Sequence, residues 1–70
     1  MILLLGGASE TARIASALAE AGYAVLVSTA TDEPLEIGDH ANISRRCGSL
    51  DEAAMAALIR DRGIDAVVDA

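Results

Sequence analysis

The opening of the chain alternates apolar and Ala-rich stretches in the pattern of a strand, a helix and a second strand. An apolar run at residues 2–5 ends at Gly6 and Gly7, and an Ala-rich stretch then leads through Gly22 into a second apolar run. This is the length of one βαβ unit, in which the amide groups at the start of the helix follow the glycine turn. Such a turn presents backbone N–H groups to a phosphate, so the pattern favours a nucleotide-binding α/β fold.

Size and composition narrow the possible classes of protein. Seventy residues make one small domain, since chains of this length bury only about 60% of their unfolded surface. The residues are 53% hydrophobic, which excludes a disordered chain, but Tyr23 is the only aromatic residue and the core must therefore be aliphatic. A net charge of −6 argues against general binding to nucleic acids or anionic membranes, because phosphate contacts need clustered Lys and Arg.

The reactive side chains give little sign of a metal or catalytic site. Cys47 is the only cysteine, so no internal disulfide is predicted, and neither Cys47 nor His40 has partners at metal-binding spacing. The opening residues lack the basic region of a signal peptide, and their apolar run is too short to span a membrane. We therefore expect a cytoplasmic protein without a bound metal.

Periodicity along the chain predicts alternating strands and helices. The predicted strands cover residues 2–5, 24–28, 42–47 and 65–69, and the predicted helices cover residues 9–21 and 51–62. Right-handed connections then favour a Rossmann-like half domain: a parallel sheet of about four strands in the order 3-2-1-4, with the two helices on opposite faces. Residues 29–41 are polar, contain Pro34 and Gly38, and are predicted to form a loop.

Both predicted helices carry an apolar stripe and recognisable ends. The stripes comprise Ile14, Ala15, Leu18 and Ala19 in the first helix, and Met55, Leu58 and Ile59 in the second. Ser49 and Glu52 form the S-x-x-E pattern of a capping box at the start of the second helix. Gly22 and Gly63 stand where left-handed helix ends are expected.

The glycine turn matches the dinucleotide-binding motif only loosely. In GGASETA, Ala8 takes the place of the second glycine of G-x-G-x-x-G, and Thr11 or Ala12 must provide the close helix packing of the third. An ordinary strand-to-helix turn explains the same residues about equally well. A Walker loop is excluded, because no Gly-Lys-Ser/Thr follows.

The end of the second predicted strand bears on the choice of nucleotide. Ser28, Thr29 and Ala30 stand where NAD-binding folds usually carry an acidic residue for the ribose 2′-hydroxyl. The missing acid favours a 2′-phosphate, to which the hydroxyls can donate and to which Arg45 or Arg46 can add positive charge. Solvated loop residues and sheet-edge charges are the alternative explanations.

Two long runs of the sequence resemble a known family. ILLLGGASETARIASALAEAGYAVLVSTA and RCGSLDEAAMAALIRDRGIDAVVDA look like the amino-terminal half of precorrin-6A reductases of the CobK/CbiJ type. The chain departs from the family pattern at Ala8, where Thr is usual, and at Thr31, where Gly is usual. The residues at matching positions are Gly6, Gly7, Ser9, Glu10, Ser28, Ala30, Arg46, Gly48, Leu50, Asp69 and Ala70.

The resemblance implies an NADPH-dependent reductase that acts on a tetrapyrrole macrocycle in cobalamin biosynthesis. It implies that NADPH binds this half and that the substrate binds in the cleft to a second domain. Because the chain ends before the family's Thr-His-Pro segment, we expect residues 1–70 to be a cofactor-binding fragment without turnover, and no catalytic residue is predicted. The expected cofactor-binding residues are Gly6, Gly7, Ala8, Ser9, Glu10, Ser28, Thr29, Ala30, Arg46, Cys47, Gly48 and Leu50.

Two other functions fit the same sequence. An atypical short-chain dehydrogenase or NmrA-like NAD(P)-binding domain has a similar arrangement of third strand, turn, helix and fourth strand. A Tyr-x-x-x-Lys motif further along the protein would favour that alternative. The other possibility is a non-catalytic α/β module that self-associates through its exposed sheet edges.

Overall fold

The computed structural model describes residues 1–6, 10–30 and 40–69. Its elements are β1 (Ile2–Leu5), α1 (Thr11–Glu20), β2 (Val25–Thr29), β3 (Ile43–Cys47), α2 (Glu52–Arg62) and β4 (Ala66–Asp69). The four strands form one parallel sheet in the order β3-β2-β1-β4. The predicted Rossmann-like architecture is confirmed, although α1 begins two residues later than expected. Of the predicted loop, residues 31–39, which include Thr31, Pro34 and Gly38, lie outside the described part of the chain.

One face of the sheet packs against α1 and forms the core. Leu4 of β1 and Val25 and Val27 of β2 are fully buried there, with Ile14 and Leu18 of α1 packed against them. The small side chains of the α1 stripe let the helix approach the sheet closely, because they add little volume between the two layers. The stripe predicted for α1 is therefore confirmed, and its most buried members are Ala15 and Ala19.

The opposite face of the sheet has its own apolar side chains, and α2 connects the two edge strands, β3 and β4. Leu3 and Leu26 point to this face, since strand residues alternate in direction, and they are 0% and 1% exposed. Within α2, all of which is described, no residue is fully buried. The predicted stripe of Met55, Leu58 and Ile59 is half-buried, because α2 joins edge strands whose residues are mostly exposed.

The ends of the helices confirm two predictions and correct a third. Gly22 and Gly63 have φ angles of 96° and 64°, the left-handed conformation predicted for them. The prediction that Ser49 and Glu52 form a capping box is wrong. The N-cap of α2 is Asp51, whose Oδ1 accepts a 2.7 Å hydrogen bond from the amide of Ala54. Helix α2 starts at Glu52, so Ser49 lies too far before the first turn to cap it.

The first residue of the chain, Met1, contacts Asp65 at the amino ends of the strands. The Met1 ammonium lies 2.8 Å from Oδ2 of Asp65, just before β4, and the Asp65 amide donates to the Met1 carbonyl. The hydrogen bond from this ammonium, with the attraction of its charge, lowers the pKa of the Asp65 carboxyl. Asp65 therefore keeps its charge at lower pH than an isolated aspartate does.

Two further properties bear on the expected partners. No helix in the described residues has the length and apolar character needed to cross a membrane. Strand β4 forms one edge of the sheet, and its Val67 side chain is 44% exposed. Self-association through this edge remains a prediction.

Candidate nucleotide-binding site

The carboxyl ends of the four strands meet at one edge of the sheet. The strand register places Ser28 between Arg46 and Leu5, and Leu5 in turn beside Asp69. In open parallel sheets, ligands bind outside this edge, near the point where the connections reverse direction. Here the reversal lies between β1, which leads to α1, and β4, which follows α2. The edge is therefore the position at which this fold places a ligand.

Gly6 is a position at which the sheet and α1 lie close together. A Cβ atom at Gly6 would lie 2.7 Å from Cγ2 of Thr11 and 3.4 Å from Cγ2 of Thr29. The Gly6 amide also donates a 2.8 Å hydrogen bond to the Ser28 carbonyl, which extends the β1–β2 ladder by one residue. Thr11, which is fully buried, thus provides the close helix packing that the sequence assigned to either Thr11 or Ala12.

Only part of the predicted phosphate turn falls within the described residues. Gly7, Ala8 and Ser9 lie outside them, so their role in binding stays a prediction. Glu10 forms the N-cap of α1 with an exposed side chain that makes no capping hydrogen bond. The backbone of α1 thus begins its hydrogen bonding with the Ile14 amide donating to the Glu10 carbonyl at 3.0 Å.

Arg46 lies across the ends of β2 and β3. Its Nη1 atom donates to Oγ of Ser28 at 2.7 Å and to the carbonyl oxygen of Gly48 at 3.1 Å. Ser28 is only 5% exposed, so its hydroxyl serves as a buried acceptor for the guanidinium. The hydroxyl thus holds the arginine, and its expected donation to a ligand stays a prediction.

Gly48, directly after β3, extends the hydrogen bonding between β2 and β3. Its amide donates a 2.9 Å hydrogen bond to the Thr29 carbonyl, and Oγ1 of Thr29 donates to the carbonyl oxygen of Arg46 at 3.5 Å. The φ angle of Gly48 is 115°, a conformation that side chains with a Cβ rarely adopt. A glycine at this position lets the chain leave β3 while its carbonyl turns back to Arg46.

A cleft of about 270 Å³ opens beside these contacts, lined by Thr29, Arg45, Arg46 and Cys47. The structure therefore brings together three of the predicted site residues, Thr29, Arg46 and Cys47. It adds Arg45, which the sequence offers only as an alternative to Arg46. Cys47 is exposed there as a free thiol. Ala30, exposed after β2, and Leu50, half-buried before α2, do not line this cleft. Among the described residues, no group of His, Cys, Asp and Glu side chains is arranged to bind a metal.

Comparison with known proteins identifies the family to which this arrangement belongs. The family model described as precorrin-6x reductase CbiJ/CobK matches residues 1–70. The chain belongs to the precorrin-6x reductase family. The matched residues cover the whole chain, which decides between this family and the short-chain dehydrogenase or NmrA-like alternative.

Individual members of the reductase family show the extent of the similarity. A cobalt-precorrin-6A reductase from Priestia megaterium is 34% identical over 70 residues, which is 100% of this chain and 28% of that protein. The solved structure of a CobK precorrin-6A reductase gives a TM-score of 0.78 at 27% identity, over 99% of this chain and 27% of that one. The chain thus spans less than a third of the length of either relative.

Proposed function

We propose that this chain is the cofactor-binding part of an NADPH-dependent precorrin-6A reductase of cobalamin biosynthesis. The family match and the names of both relatives support the reduction of a tetrapyrrole of the precorrin-6A class. A cytoplasmic site for this reaction agrees with the single cysteine of the chain.

The proposed position of the dinucleotide follows the carboxyl edge of the sheet. The pyrophosphate lies over residues 6–10, because the amides at the start of α1 carry a partial positive charge that favours anions. The adenosine half lies near Ser28, Thr29 and Ala30, and near the segment from Cys47 to Leu50. The nicotinamide half then extends toward the reversal point between β1 and β4, where the substrate domain of a longer protein would approach.

The hydrogen bond from Arg46 to Ser28 is the observation that most supports NADPH as the cofactor. An acidic residue at the end of β2 would accept hydrogen bonds from a free ribose 2′-hydroxyl and repel a 2′-phosphate. In this chain the position holds a serine, which keeps a guanidinium at the same edge. A charge-assisted hydrogen bond contributes about 1.5–3 kcal/mol, which corresponds to a preference for NADPH over NADH of roughly tenfold or more.

The chain's own contribution to the reaction is to bind and orient the dinucleotide. When bound, NADPH supplies the hydride that reduces the macrocycle. Gly6 lets the start of α1 lie close to the end of β1, which places the helix amides at the proposed pyrophosphate position, and Arg46 fixes the adenosine end of the cofactor. Because both contacts lie on strand ends of one sheet, the distance between the two ends of the cofactor site is set by the rigid part of the fold.

A chimaera tests this function directly. Residues 1–70 replace the matching segment of the Priestia megaterium relative, which supplies the remainder of the protein. We expect the chimaera to consume NADPH in the presence of cobalt-precorrin-6A, and to do so faster than it consumes NADH at equal concentration. A chimaera that folds, as judged by its circular dichroism, but oxidises neither cofactor would contradict the proposed function.

A further inference from the structure

One row of side chains crosses the sheet near its carboxyl edge. Strand pairing places Arg46 of β3 beside Ser28 of β2. Leu5 of β1 lies next to Ser28, and Asp69 of β4 lies next to Leu5. Residues paired in register point to the same face of a sheet, so the row lies on one face. It is charged only at its two ends, with a cation on β3 and an anion on β4.

The carboxylate at the β4 end of this row is not engaged by the described part of the chain. Asp69 is exposed, and within residues 1–6, 10–30 and 40–69 it makes no hydrogen bond and no ion pair. Asp65, before the other end of β4, is in contrast paired with the Met1 ammonium. Asp69 lies beside β1 at the reversal point of the strand order, where open parallel sheets bind their ligands. Its negative charge is therefore available to a ligand bound there.

The two charged ends of the row are far enough apart to act on different parts of a dinucleotide. They lie on the two edge strands of the four-stranded sheet, and the spacing between neighbouring strands puts them roughly 14 Å apart. A dinucleotide that extends along this edge with its adenosine half near Arg46 brings its nicotinamide half to the side of β1 and β4. The anion then lies at the nicotinamide end of the proposed site.

The charge of the nicotinamide ring changes when the cofactor is used. The dihydronicotinamide ring of NADPH is neutral, and it gives up a hydride, a proton together with two electrons, to the macrocycle. The ring is left with one positive charge, and the macrocycle completes its reduction by taking a proton from water. A fixed negative charge beside the ring favours this step, because it attracts the ring only as the hydride leaves.

We propose that the carboxylate of Asp69 lies beside the nicotinamide ring and stabilises the positive charge that the ring gains on hydride transfer. The inference rests on the proposed function and goes beyond it, since it gives a residue of this chain a part in the reducing step itself. It has a consequence for binding alone. Because only the oxidised ring is charged, the same carboxylate raises the affinity for NADP⁺ relative to NADPH.

The ratio of the affinities for NADP⁺ and NADPH tests the inference without any turnover. The two nucleotides share their adenosine half and differ at the nicotinamide ring, so contacts elsewhere in the site cancel in the ratio. Each nucleotide is titrated into the isotope-labelled 70-residue chain, and its affinity is measured from amide chemical shifts. We expect Asp69→Asn to lower the preference for NADP⁺ by about three- to tenfold and to change the affinity for NADPH little.

Two further variants show whether the position of the charge matters. Asp69→Glu keeps the carboxylate and should keep most of the preference for NADP⁺. Asp65→Asn removes the same charge before the other end of β4, about 13 Å from Asp69 along the strand, and should leave the ratio unchanged. Circular dichroism of each variant shows that it is folded before its affinities are compared.

The possible results separate this inference from the proposed function. An unchanged ratio in Asp69→Asn, with both nucleotides still bound, would overturn the role of Asp69 alone. An equal fall of the ratio in Asp65→Asn would also overturn it, since the effect would then come from the net charge of the chain. A chain that binds neither nucleotide would overturn the proposed function together with the inference.

Discussion

Nη1 of Arg46 lies 2.7 Å from Oγ of Ser28, its register partner on the neighbouring strand. The bond joins the carboxyl ends of β2 and β3 through a buried hydroxyl and a half-buried guanidinium. A cation is thereby held at the sheet edge of a chain whose net charge is −6. Because Ser28 is neutral, the bond orients the arginine without cancelling its charge, and an anionic ligand can still be attracted.

Replacing Ser28 with aspartate should reduce or reverse the preference for NADPH. The new carboxylate would pair with Arg46 and repel a 2′-phosphate, while it could accept hydrogen bonds from a free 2′-hydroxyl. Competitive titration with NADPH and NADH measures the preference. Ser28→Asn is the matched control, since it adds similar volume without charge, and it should keep a preference for NADPH. Equal effects of Ser28→Asp and Ser28→Asn would show that volume matters and charge does not.

Adding one methyl group at Gly6 should destabilise the fold. In Gly6→Ala the new Cβ would lie 2.7 Å from Cγ2 of the buried Thr11, so α1 or the end of β1 must shift. Overpacking of this kind costs about 1–3 kcal/mol in the free energy of unfolding, which urea denaturation measures.

A double-mutant cycle tests the cause of that loss. Thr11→Ser removes the methyl group that a Cβ at Gly6 would meet, so Gly6→Ala should cost less in the Thr11→Ser background than in the unmodified chain. The same cost in both backgrounds would show that the Gly6–Thr11 contact is not responsible.

Two variants distinguish the cap of α2 that the structure shows from the one that the sequence favours. Asp51→Ala should lower the free energy of unfolding by about 1 kcal/mol, because the amide of Ala54 loses its acceptor. Ser49→Ala should change it by less than about 0.5 kcal/mol, since Ser49 is exposed and lies before the N-cap. Thermal unfolding of both variants measures the difference, and a larger loss in Ser49→Ala would restore the capping box.

The Asp65 carboxyl should titrate below the usual range of aspartate, because the Met1 ammonium donates a hydrogen bond to it. A carboxyl with a lowered pKa stabilises the folded state at pH values above the pKa of the unfolded chain. That contribution is lost as the pH falls through the lowered pKa of the folded state. Carbon NMR of the Asp65 carboxyl across this range measures its pKa, and acetylation of the Met1 amine should return it toward the usual value. A carboxyl whose pKa is the same before and after acetylation would contradict the account.

The arrangement of the elements could be predicted because it depends on local patterns. Apolar runs at the spacing of strands, an Ala-rich stripe and glycines at helix ends each act within a few residues, and right-handed connections then restrict the strand order. The half-burial of Met55, Leu58 and Ile59 could not be predicted from such patterns. An apolar stripe shows which side of α2 faces the sheet, but how deeply it is buried depends on the neighbouring strands.

The position of Ser28 and Arg46 at one edge of the sheet could also be predicted from the sequence, whereas the contact between them could not. Ser28 and Arg46 are visible as polar residues at the ends of two predicted strands, and parallel pairing brings them to one edge. That Ser28 accepts from Arg46 depends on the register and on the arginine rotamer, which no sequence pattern records. The sequence favours the wrong cap for α2 because Ser49 and Asp51 both have acceptor side chains near the helix start. Which of them accepts depends on the residue at which the helix begins.

The central claim is that a nicotinamide dinucleotide binds along the carboxyl edge of the sheet, and amide chemical shifts of the isotope-labelled chain test it most directly. NADPH is added in steps, and even weak binding displaces the signals of residues near the ligand. We predict that the largest changes fall in residues 6–10, 28–30 and 47–50, with smaller changes at 28–30 when NADH is used. If the largest changes fall in residues 56–63 of α2 and its carboxyl end, the ligand binds elsewhere and the account is wrong.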